Sequence, residues 1–326
     1  MSEQPAPSTT ATQPLEASVV ICAYSDERWD DLVRAVRSAQ RQTRRPREVV
    51  VAVDHNPGLL ARAARELVGA SVVDNAQRPG LAGARNSGAL ATTAPIVAFL
   101  DDDAAADPDW LEQLLAPYAR AEVLGVGGAI RPDWRGGRPR WFPDEFLWTV
   151  GCSYRGLPTA PSAVRNMIGA NMSVRREVME ALGGFREDLG RLEETDFCIR
   201  GQQLMPGGVW LYWPAAGVTH SVSAARASWA YFRARCFNEG VAKASMVLAT
   251  GSRAGLESER RYTRRVLPAG VARGLAGALR GDRGAAARAG AILAGLAYTT
   301  AGYARGRLTL RRRGGDGAIP RRGATP

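Results

Sequence analysis

The sequence predicts an α/β protein: a doubly wound, mostly parallel sheet followed by a helical extension. Three observations predict it. Short apolar runs without alternation, Ser18 to Ala23, Val49 to Val53, Ser71 to Val73 and Ile96 to Leu100, read as strands buried on both faces. Helical periodicity fills the gaps between them. It places Trp29, Leu32, Val33, Val36 and Ala39 on one face, repeats over Leu59 to Val68, and gives way to an Ala-rich helix over Leu81 to Ala91. From Ser228 onward the pattern is helical.

Taken in order, Met1 to Ala17 is rich in Ser, Thr, Pro, Gln and Ala and lacks the basic end and apolar stretch of a signal peptide, so a disordered tail is expected. After the fourth strand, Pro108 opens a helix with Asp107 as its N-cap, and Glu122 to Ile130 reads as a strand. Asp133 to Pro161 then carries Trp134, Trp141, Phe142, Phe146, Trp148 and Tyr154 among Gly and Pro, which is unusual for a linker. Order resumes with Asn166 to Ser173, a helix over Arg175 to Leu182, the Gly183-Gly184 turn, the acidic stretch Glu193 to Asp196 and a strand over Val209 to Trp213. The expected divisions are a tail over 1–17, an α/β domain over 18–225, a basic helical region over 226–310 and a disordered basic tail over 311–326.

The net charge of +11 is concentrated at one end. Residues 221–326 hold 20 basic against 5 acidic side chains, and only Lys243 among all 43 basic residues is a lysine. The four cysteines, Cys22, Cys152, Cys198 and Cys236, are scattered without metal-ligand spacing, so free thiols in a reducing cytoplasm are expected. Ala289 to Ala304 is uncharged for 16 residues, short of the roughly 20 that span a bilayer. Upstream, Leu267, Val271 and Leu275 oppose Arg273 and Arg280. That layout fits a helix lying on an anionic membrane surface, and equally one packed on the preceding domain.

In sheets of this kind ligands bind beyond the carboxyl ends of the strands, so Asp54 and Asp101 point at one crevice. Asp101-Asp102-Asp103 places three like charges there, and a hard divalent cation, Mg²⁺ or Mn²⁺, would relieve their repulsion. Such a cation also stabilises a leaving diphosphate. Glu193, Glu194 and Asp196 are candidates to take a proton from an attacking hydroxyl; acids in a helix's first turn also favour its dipole. A lone histidine such as His220 is more often structural than a ligand.

The ordered segments SVVICAYSDER, VVVAVDHNPG, RPGLAGARNSG, VAFLDDDAAADPDWL, GGFREDLGRLEETDFCIR and YWPAAGVTH resemble family 2 glycosyltransferases with a GT-A fold, over roughly Ser18 to His220. The resemblance implies an inverting enzyme that moves a sugar from a UDP- or GDP-sugar to a glycan, lipid-linked or small-molecule acceptor. It implies that Tyr24 stacks on the nucleobase, Asp54 hydrogen-bonds it, and Arg85 with Asn86 lies near the donor. Asp101 would face the ribose and join the metal set, Asp102 would lie between, and Asp103 would ligate the metal with His220 as a further contact. Glu194 would stand at the base position with Asp196 behind it, and Arg200 would anchor that helix or touch phosphate. Gly169-Ala170-Asn171 would form a turn between donor and acceptor, and Trp148 belongs to an aromatic segment that serves either as an acceptor platform or as a satellite core. Cys22, Ser25 and His55-Asn56 stand where the family commonly has Pro, Asn and Asp-Gly, and Glu194 lengthens the usual aspartate arm.

Two other classes share some of these features. A sugar-nucleotide pyrophosphorylase-like nucleotidyltransferase needs a basic Gly-rich N-terminal loop, which Ala23-Tyr24-Ser25-Asp26 is not. A basic nucleic-acid-binding protein would account for the arginines, but zinc-finger, helix-turn-helix and RNA-binding signatures are missing, so no nucleic-acid partner is expected. The expected setting is cytoplasmic, peripheral on the inner face of the cell membrane.

Overall fold

The computed structural model describes residues 15–250 and 260–315. Three parallel strands and their crossover helices come first: β1 (Ala17–Ala23), α1 (Trp29–Gln40), β2 (Val49–Val53), α2 (Pro57–Glu66), β3 (Ser71–Asp74) and α3 (Leu81–Leu90). Next are β4 (Ile96–Asp101), β5 (Ala104–Ala106), α4 (Trp110–Leu115), β6 (Val123–Trp134), β7 (Ser162–Val164), β8 (Asn171–Arg175), α5 (Arg176–Leu182), α6 (Glu193–Leu204) and β9 (Val209–Val222). One sheet runs β3-β2-β1-β4-β8-β6-β9-β5, with β7 also on β9. The β3-β2-β1-β4 half is parallel, as the fully buried runs VVVAV and IVAFL require. Beyond it β8 is antiparallel to both β4 and β6, and β5 and β7 are antiparallel to β9, so the sheet is mixed.

Two apolar layers cover the sheet. On one side α1, α2 and α4 pack on alternate residues such as Val19, Ile21, Val51 and Leu100; on the other, Val20, Val97 and Phe99 meet Ala82, Phe185 and Phe197. Asn56 caps α2 by accepting from the Leu59 N–H at 3.0 Å, with Pro57 at its first turn.

The tail expected over 1–17 ends earlier. Ala17 already pairs with Ile96 in β1, because its register continues the apolar strand, and Glu16 pairs with Arg47 at 2.8 Å; residues 1–14 lie outside the described residues. The strand expected over Val209–Trp213 runs on to Val222, through a bulge at Pro214-Ala215-Ala216 where the register against β6 jumps from Trp213 to Gly217.

After β9 the chain forms α7 (Trp229–Thr250), α8 (Leu267–Leu279) and α9 (Ala285–Gly315). α9 enters the stretch expected to be unstructured, because nothing breaks the helix before Gly314-Gly315; the remainder, 316–326, lies outside the described residues. The uncharged Ala/Gly run also has a packing reason. A Cβ on Gly302 would strike the Phe237 carbonyl of α7, and one on Gly240 the Thr299 carbonyl of α9, so glycines let the two helices touch along their backbones. Among the described residues no helix is long and apolar enough to cross a membrane.

These helices also pack on the α/β domain. Phe142, Phe146 and Phe232 are buried together with Leu267 and Ile292, and Glu145 pairs with Arg273 of α8. Trp148 donates its indole N–H to Tyr262 Oη at 3.2 Å. The aromatic segment is therefore core, continuous with the apolar layer under the sheet and not a separate satellite. Trp148 is half-buried with its polar edge used by the helical extension, which favours the core alternative over the acceptor platform.

Candidate functional site

The carboxyl ends of β1, β2 and β4 converge. Cys22 pairs with Asp101, which puts Tyr24 and the acidic triplet side by side, and Asp54 leaves β2 on the same edge. β5 begins immediately after Asp103 and pairs antiparallel with β9, Ala104 opposite His220. The Ser221 N–H donates to the Asp103 carbonyl at 2.7 Å. That register brings His220 Nε2 to 2.9 Å from Asp103 Oδ1, joining two residues 117 positions apart.

Asp101, Asp103 and His220 offer ligand atoms that all lie within 4.8 Å of one another. Two hard carboxylate oxygens with one imidazole nitrogen suit Mg²⁺ or Mn²⁺. Burial raises the Asp101 carboxyl above its usual range, with Arg85 opposing; burial and neighbouring Asp103 push Asp102 up to about 7. Asp103 is buried too, yet His220, Arg28 and Arg226 hold it down at about 2. The same contact lifts His220 to about 10 against the effect of burial. Two of these partners escaped the sequence reading. Arg28 Nη1 lies 2.9 Å from Asp102 Oδ1 and 3.2 Å from Asp103 Oδ2, and Arg226 Nη1 lies 3.2 Å from the same Asp103 oxygen. The only linear signals were that Arg28 follows Tyr24 by four residues and Arg226 follows His220 by six. Gly151 and Cys152, within the aromatic segment, close over the His220 ring.

A second carboxylate group surrounds Arg85. This guanidinium, 2% exposed, lies 3.3 Å from Glu194 Oε1, 3.5 Å from Glu193 Oε1 and 3.7 Å from Asp101 Oδ1. It links the first turn of α6 to the end of β4. Gly169 passes so close that a Cβ there would run into Glu194 Oε1 and the Arg85 guanidinium. The three acids of α6 differ in access. Glu193 is 3% exposed, and burial together with Glu194 pushes its carboxyl up to about 7. Asp196 is held by Arg200 at 2.7 Å. The Glu194 side chain keeps 19% of its surface exposed and faces Arg85.

Several residues expected to contact substrate are engaged by the fold. Asn171 is fully buried: it accepts from Trp110 Nε1 at 2.7 Å and donates to the Ala129 and Ala216 carbonyls at the β6–β9 bulge. Asn86 exchanges two hydrogen bonds of 2.9 Å with the Phe185 backbone. Arg200 donates to the Leu182 and Gly184 carbonyls at 2.8 Å, which favours the anchoring alternative over phosphate contact. Asp54 accepts from Asn75 Nδ2 at 2.7 Å and the Gly80 N–H at 2.8 Å, ordering the loop before α3. Ala170 is buried and its carbonyl accepts from the Asp101 N–H at 3.4 Å. Tyr24 stays open, 54% exposed, with Arg28 Cζ 5.0 Å from its ring centre.

Comparison with known proteins matches this architecture. Glucosyl-dolichyl phosphate glucuronosyltransferase of Haloferax volcanii is 34% identical over 245 residues, covering 72% of this chain and 78% of that one. In structure the chain resembles the mannosyltransferase PcManGT of Pyrobaculum calidifontis, solved with GDP-Man and Mn²⁺ (TM-score 0.57, 18% identity, 87% of this chain and 86% of that one). It also resembles GalNAc-T7 solved with UDP, GalNAc and Mn²⁺ (TM-score 0.50, 22% identity), where 65% of this chain matches and only 45% of the other is spanned. Both likenesses concern the fold, which is of the GT-A type with a helical C-terminal region. Residues 18–183, half of the chain, match the profile described as "Glycosyl transferase family 2". The acidic strand end and the mixed sheet around it thus sit in a known lineage: this chain belongs to family 2 of the glycosyltransferases, and is a sugar-transferring enzyme.

Proposed function

We propose that the chain transfers a sugar, with inversion, from a UDP- or GDP-sugar to a hydroxyl of a lipid-linked glycan. The observation that carries this reading is the single cluster formed by Asp101, Asp103 and His220 on one side and Glu194 on the other, joined through Arg85. Asp101, Asp103 and His220 would hold Mg²⁺ or Mn²⁺, which supplies charge stabilisation for the departing diphosphate. Glu194 takes the proton of the attacking hydroxyl; of the three α6 acids it alone is both accessible and not bound to an arginine of its own helix. Glu193 sits behind it and, near neutrality, shares one positive partner with it. Arg85 fixes both carboxylates against Asp101, which orients Glu194 toward the donor side. Tyr24 offers an open ring to a nucleobase.

The lipid-linked acceptor is supported by the Haloferax relative, whose name specifies a glucosyl-dolichyl phosphate. A peripheral membrane position follows the same reading. Leu275 and Leu279, one turn apart on α8, are 56% and 90% exposed, and Arg280 and Arg283 follow them. Apolar side chains fringed by arginines suit an anionic lipid surface.

Calorimetry with UDP, GDP and Mn²⁺ tests the donor side. Wild-type protein should bind one of the nucleotides more tightly with Mn²⁺ than with EDTA, and Asp103→Ala should remove that difference. Equal metal dependence in the variant would reject the ligand assignment.

A further inference from the structure

The acidic cluster carries more positive charge than a metal site needs. Asp103 faces His220 through Oδ1 and two guanidinium groups through Oδ2, and Arg28 spans Asp102 and Asp103 together. These arginines differ from Arg85, which is 2% exposed and enclosed by three carboxylates. The Arg28 and Arg226 side chains are 24% and 26% exposed, whereas the acids they meet are 4% and 6% exposed, so the carboxylates are fixed and the guanidinium groups lie at the mouth. Neither arginine is on a strand. Arg28 ends the short turn Asp26–Arg28 after Tyr24, and Arg226 lies in the turn between β9 and α7, where its N–H meets Ser223 Oγ at 3.4 Å. Their heads can redirect without disturbing the sheet.

We propose that Arg28 and Arg226 are the diphosphate-binding arginines of this enzyme, and that they make cation and nucleotide binding interdependent. The proposal rests on the reading of Asp101, Asp103 and His220 as the metal set. The charges explain the coupling. Asp102 and Asp103 face two permanent guanidinium charges while Asp101 faces Arg85, so a divalent cation entering alone leaves the cluster with excess positive charge beside the arginines. A diphosphate entering with the cation removes that excess. It also offers the planar, paired oxygens that guanidinium groups bind best. Each ligand therefore strengthens the other, and by linkage the effect is reciprocal. Arg28 would also connect the phosphate end of the donor to its base end, since it already lies over the Tyr24 ring.

The full-length protein is titrated with Mn²⁺ alone, with UDP or GDP in EDTA, and with both together, using manganese paramagnetic resonance and calorimetry. In wild type, Mn²⁺ alone should bind weakly and the nucleoside diphosphate should tighten it. Arg226→Gln and Arg28→Gln should each tighten Mn²⁺ alone about tenfold and weaken the nucleoside diphosphate by about the same factor, so that the mutual enhancement shrinks. The corresponding monophosphate should lose less. Arg226→Lys, which keeps the charge, should leave Mn²⁺ alone near wild type. If both Gln variants bind Mn²⁺ alone like wild type while nucleotide-dependent binding persists, the arginines are structural ion pairs and the proposal is overturned. If wild type binds no Mn²⁺ with or without nucleotide, the metal reading fails first and takes the proposal with it.

Discussion

Gly169→Ala isolates the geometry of the carboxylate group from its chemistry. Gly169 does not have a positive φ, so its backbone accepts alanine, and the whole effect comes from the added methyl. That methyl would overlap Glu194 Oε1 and Arg85 Nη2 and stand 2.9 Å from Arg85 Cζ. Arg85 is buried and held by three acids, so Glu194, with 19% of its side chain exposed, is the group that yields. Restoring ordinary contact of about 3.5 Å moves its carboxylate by roughly 1 Å or more. A displacement of that size costs a positioned catalytic group on the order of 10²-fold in rate, about 2.7 kcal/mol of barrier. Overpacking should cost about 1–3 kcal/mol of stability, a loss that a domain of this size survives. Steady-state kinetics and thermal melts on one preparation separate the two. A wild-type kcat in folded Gly169→Ala would refute the placement of the base beside Arg85.

Two further outcomes follow from burial and exposure. Glu193 has its folded pKa raised from 4.5 to about 7, so its contribution to stability is fully present below 4.5 and is lost as pH rises through 7, on the order of 3 kcal/mol in all. Chemical unfolding in EDTA should therefore show wild type losing more stability than Glu193→Gln between pH 5 and pH 8; parallel profiles would contradict the buried, strained carboxylate. On α8, Leu279→Glu removes the most exposed leucine of the candidate lipid-facing patch, worth about 2 kcal/mol when buried. Co-sedimentation with anionic vesicles should fall more than tenfold with the melting temperature unchanged, and undiminished sedimentation would dismiss the membrane reading.

The strand-end rule made half of the site legible from the chain alone. Fully apolar runs followed by Asp54 and Asp101 could only be buried parallel strands whose ends share a crevice. His220 was visible only through resemblance, because its position depends on the β5–β9 register, a pairing across more than a hundred residues. Asn86, Asn171 and Arg200 looked like ligand contacts because they are polar residues inside motifs. Their partners belong to the fold: the Phe185 amide and carbonyl for Asn86, the Trp110 indole and the carbonyls beside the bulge for Asn171, and Asp196 with the end of α5 for Arg200. Nothing in local sequence marks which carbonyls a distant bulge brings within reach of a side chain. Arg28 and Arg226 were hidden for a related reason, since loop arginines acquire meaning only when two turns from opposite ends of the domain meet the same carboxylates. The Ala/Gly run of α9 invited a comparison with membrane spans, whereas Gly302 serves contact with α7 and Gly295 contact with Phe146.

The assignment of Glu194 as the base is tested most directly by Glu194→Gln, which keeps the side chain's shape and its contact with Arg85 but cannot take a proton. Turnover of a UDP- or GDP-sugar with an acceptor should fall by roughly 10²–10⁴-fold, while nucleotide affinity with Mn²⁺ and the melting temperature stay near wild type. If Glu194 served only the dipole of α6, the same change would cost about 0.3–1 kcal/mol of stability and leave turnover nearly intact. Wild-type turnover in Glu194→Gln would contradict the assignment and move the base to Glu193 or Asp196.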